Sequence, residues 1–214
     1  MGVSVIYSAI PPSSTLYARL QREKPLAILM ASFFHYGDGI FHFFEFHFSE
    51  IEPEEMHETL EWLVEMHQDT FGSELEADRI TAEFRAELRR TCQAYSGIEN
   101  RTARLLGNSS RGIEERLTQE LTRRQITNAN AMVMKLIFGD QAVASTLLRE
   151  EDSLGLISRE LVHEGARILR QIEPESLFER NEDGEGWHLN DFERWRDLYL
   201  SADERNEAIL VGVH

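Results

Sequence analysis

The sequence predicts an α+β fold, a small, mostly antiparallel sheet packed with a predominantly helical middle. Three observations predict it. Residues 3–9 alternate like a strand, residues 207–213 form a second β-rich run, and the residues between them largely repeat apolar positions every three or four. A third strand is expected over 41–48. No long linker interrupts the 214 residues, so the chain is read as a single domain, 1–214.

Val3, Val5 and Tyr7 alternate with Ser4, Ile6 and Ser8, the period of a half-buried strand. Pro11-Pro12-Ser13-Ser14 stops it, and Ser14 is placed to cap a helix with Leu16 and Leu20 on one face. Pro25 restarts an apolar helix to about Phe34, and Tyr36-Gly37-Asp38-Gly39 reads as a turn. Phe41, Phe43, Phe44, Phe46 and Phe48, with His42, Glu45 and His47 among them, have strand composition. Pro53 opens a helix to about Asp69, whose apolar stripe is Met56, Leu60, Leu63 and His67.

Gly72-Ser73 breaks the chain, and a long helix then stacks Ile80, Phe84, Leu88, Cys92 and Tyr95. Gly107 to Gly112 reads as a loop. Helices are expected at Ile113/Leu117/Leu121, Met132 to Phe138, Val143/Leu147 and Ile157/Leu161/Ile168/Ile172. Pro174 suits a first helical position. Asn190 and Glu193 have the spacing of a capping box before Phe192, Trp195 and Tyr199. Ala208 to Val213 closes the sheet.

Composition excludes several classes. The formal charge is −16, with 22 Lys+Arg against 38 Asp+Glu, which argues against nucleic-acid binding through a basic footprint. One cysteine cannot form an intramolecular disulfide and suits a reducing compartment, so a cytoplasmic location is expected. The longest apolar stretch, Leu26 to Phe34, is too short to span a bilayer, so no membrane partner is expected.

Motifs with chemical content fare poorly. Glu54/His57 and Glu160/His163 repeat the Glu-x-x-His spacing of di-metal helix bundles, but in so acidic a chain such pairs arise by chance. Asn181-x-Asp183-x-Glu185-Gly186 opens like a calcium loop, yet Phe192 stands where a bidentate glutamate is required. Gly107-x₄-Gly112 has the outline of a phosphate loop without its lysine. Cys92 lies mid-helix among apolar residues, a structural position and not a nucleophile's. No catalytic residue, metal ligand or cofactor is assigned.

Charge placement is the clearest nonrandom feature. Residues 50–78 hold eleven acids and no Lys or Arg, leaving the remaining 185 residues at −5. Glu54, Glu58, Glu61, Glu65 and Asp69 recur every three or four residues, opposite the apolar stripe. Such a face either solubilises the helix or steers it onto a basic protein partner. Residues 101–135, with six arginines and one lysine against three glutamates, are a candidate complement within the fold or across a homodimer.

Met1-Gly2-Val3-Ser4 leading to Ile10-Pro11-Pro12 begins a family likeness. It continues in Phe192, Trp195, Tyr199 and Ala202 before Glu207-Ala208-Ile209-Leu210-Val211. These two ends resemble the YfbM-like bacterial proteins of unknown function. The resemblance implies a compact α+β domain with a terminal strand, and no functional residue is carried over. Family members often have an Asp-Lys-x-Trp-His stretch in their first half, which has no counterpart here; Trp187-His188 lies elsewhere.

The reading is a cytoplasmic, non-catalytic interaction protein of inhibitor or immunity type that uses the acidic helix 54–69. The alternative is a small-molecule or metal-dependent enzyme with a pocket lined by phenylalanines and by His35, His42 and His47.

Overall fold

The computed structural model describes residues 4–11, 14–24, 27–28, 62, 65, 78–83, 86, 100–145, 153–178 and 186–213. The chain divides into two compact units. One comprises Met1–Pro12, Glu99–Ala142 and Gly155–His214; the other comprises Ser13–Ile98 and Val143–Leu154.

The fold is α+β, as the sequence predicts. Its five-stranded antiparallel sheet has the order β2-β1-β5-β4-β3, from strands β1 (Val5–Ile10), β2 (Thr102–Leu105), β3 (Gln141–Ser145), β4 (Ser153–Ile157) and β5 (Ala208–Val213). β1 runs antiparallel to both neighbours, pairing Val5 with Leu105 on one side and with Val213 on the other. Every residue of β1 is buried, Ser8 included. Both faces are therefore covered, and its alternating residues mark two buried faces instead of one buried and one wet. The strand expected over 41–48 lies outside the described residues.

Helices α1 (Leu16–Leu20), α2 (Gly107–Arg123), α3 (Ala129–Phe138), α4 (Arg159–Leu169), α5 (Pro174–Leu177) and α6 (Gly186–Glu204) complete the described elements, and residues 78–83 are also helical. α6 is the centre of the core of the first unit. Phe192, Trp195, Leu198, Tyr199 and Ala202 on it are fully buried. Trp195 meets Tyr7 of β1 at 6.3 Å and Tyr199 at 5.1 Å between ring centroids, within the range where tilted aromatic pairs attract beyond their area burial.

The Tyr7 hydroxyl donates to the Ile137 carbonyl at 2.9 Å, and the Tyr199 hydroxyl to the Leu136 carbonyl at 2.6 Å. α4 approaches this corner through Gly165, where a Cβ would stand 2.6 Å from Leu136 Cδ2 and 2.9 Å from Tyr199 Cε1. Gly139 ends α3 at φ +93°, a region that favours glycine, and packs on the Leu156 carbonyl. Asp140 then binds Ser158, Oδ1 accepting from its N–H at 2.8 Å and Oδ2 from its hydroxyl at 2.6 Å. Ser158 Oγ in turn accepts from Leu161 N–H and caps α4.

Five local expectations are corrected. Val143 lies in strand β3 and not in a helix, and Ile157 ends β4 instead of starting a helix. Leu154 to Ile157 are buried at consecutive positions, which removes the two-residue period of a strand. Gly107 to Gly112 forms the first turns of α2, tightened by Ser110 Oγ donating to the Gly107 carbonyl. Asn190 lies inside α6, which begins at Gly186, so the apparent capping box is interior sequence. α1 starts after Thr15, so Thr15 and not Ser14 holds the N-cap position.

Candidate functional site

The acidic segment enters the described structure at two positions. Trp62 and Glu65 are both helical, both exposed and three residues apart, which places them on one helix face. Trp62 leaves 40 % of its surface in solvent. Exposed indoles of this kind are enriched among the residues that anchor protein interfaces. Glu54, Glu58, Glu61 and Asp69 lie outside the described residues, as do His35, His42, His47, His57 and Cys92.

The arginine-rich segment 101–135 places much of its charge in ion pairs on α2. Arg111 pairs with Glu115 at 3.0 Å. Arg123 and Arg124 both pair with Glu120, at 2.8 and 2.6 Å. Glu120 is buried, and hydrogen bonds from Arg123 and then Arg124 lower its pKa to about 2. Arg124 also donates to the Gln171 carbonyl, tying the end of α2 to the chain after α4. These guanidiniums are already matched by carboxylates of their own helix.

The Glu160/His163 pair on α4 does not build a metal centre. His163 Nδ1 lies 2.8 Å from Asp203 Oδ1, and Arg170 donates to Oδ2 of the same carboxylate at 2.8 Å. Burial raises the Asp203 pKa, and the hydrogen bonds from His163 and Arg170 outweigh it, leaving the group below its usual range. The imidazole itself is 74 % exposed while Asp203 is 13 % exposed. Among the described residues no three His, Cys, Asp or Glu side chains gather as a metal site.

His188, beside Trp187, packs over Gly112 of α2 and lies 6.0 Å from the Phe178 ring, as part of the aromatic core. The calcium-like loop at 181–185 lies outside the described residues. No helix among the described residues is long and apolar enough to cross a membrane.

Beyond the Glu160/His163 pair, the outer face of α4 is not marked by any sequence motif. Arg159, His163 and Arg167 are all exposed and recur every four residues along α4. Glu160 and Glu164 are exposed beside them, so the face carries both signs of charge. The chain matches no family model, no curated protein and no solved structure.

Proposed function

We propose that this chain is a non-catalytic interaction protein that docks a basic protein partner through its acidic helical segment, 54–69, in the manner of an inhibitor or immunity protein. One observation carries the reading. Trp62 and Glu65 present an exposed aromatic and an exposed carboxylate on the same helical face, inside a stretch of eleven acids without a base. An aromatic anchor within a field of one sign combines short-range burial with long-range steering. The ion pairs inside α2 support an external complement, because Arg111, Arg123 and Arg124 have carboxylates already. The single cysteine suits a cytoplasmic setting. Kinship of the chain ends with the YfbM-like proteins is part of the same proposal and assigns no residue to the face.

Affinity capture followed by titration of the captured basic protein tests it. Glu58→Lys, Glu61→Lys and Glu65→Lys together should weaken binding by ~10-fold or more, and added salt should weaken the wild-type complex in the same direction. Trp62→Ala should raise the dissociation rate with little change in the association rate. Binding that ignores both the reversals and salt would reject the proposal.

A further inference from the structure

No further inference is drawn: the strongest candidate, the side-chain cluster at the start of α6 where the buried His188 Nδ1 and Asp191 Oδ2 have no hydrogen-bond partner among the described residues, carries nothing, because residues 179–185 before it lie outside the described residues and nothing in the structure shows what those two atoms face.

Discussion

Tyr7 and Tyr199, from opposite ends of the chain, donate their hydroxyls to consecutive carbonyls of one helix end, Ile137 and Leu136. The last carbonyls of an α-helix lack intrahelical partners, so both phenols satisfy groups that burial would otherwise leave unpaired. This makes the end of α3 a joint between the first strand and the last helix.

Replacing either tyrosine by phenylalanine keeps the ring contacts and strands one buried carbonyl. Tyr7→Phe and Tyr199→Phe should each cost about 1–3 kcal/mol in chemical denaturation. A double-mutant cycle should show coupling, because the two bonds meet at adjacent residues.

The same phenols predict an alkaline limit. Burial pushes both well above the ordinary value of 10.0, and the Trp195 indole partly offsets that push at Tyr7. A raised folded pKa means that their contribution to stability is complete below pH ~10 and declines as pH rises toward the folded value. Urea midpoints measured between neutral pH and pH ~11 should fall at the alkaline end, less steeply in the double phenylalanine variant.

Gly165→Ala should destabilise by about 1–3 kcal/mol, since its Cβ meets Leu136 and Tyr199 inside van der Waals contact. Thermal denaturation measures the loss, and a compensating Leu136→Ala should recover only part of it because Tyr199 still crowds the site.

Glu120 predicts the acid limit. Its pKa is lowered to about 2 by hydrogen bonds from Arg123 and Arg124. A depressed carboxylate contributes stability that is present above its ordinary value of 4.5 and is lost as pH falls through about 2. Glu120→Gln should therefore flatten the stability profile over that acid range, with denaturant midpoints across the interval as the readout.

The sequence made β1 and β5, two adjacent inner strands of the sheet, legible and hid β2, β3 and β4. β1 announces itself by alternation and β5 by a short apolar run after a helix, while β4 is buried at four consecutive positions and reads equally as helix. Asn190 and Glu193 have capping-box spacing, but only the tertiary structure shows that α6 begins upstream. At the candidate site, charge spacing singles out Glu65, which the structure places exposed on a helix. The role of His163 was not legible, because its partner Asp203 is 40 positions away and no local pattern joins them.

The pairing of β1 with β5 also constrains how the protein is made. Ile10 pairs with Ala208 and Val5 with Val213, so β1 waits for a strand made about two hundred residues after it. On the ribosome, a nascent chain carries β1 without its inner neighbour until Val213 has left the exit tunnel. Such long-range closure is entropically slow, and the apolar β1 must be shielded meanwhile by α-helical neighbours or a chaperone. Deleting the last six residues of β5 would therefore give a chain with a permanently open sheet interior, prone to aggregate rather than to fold as a smaller version of itself.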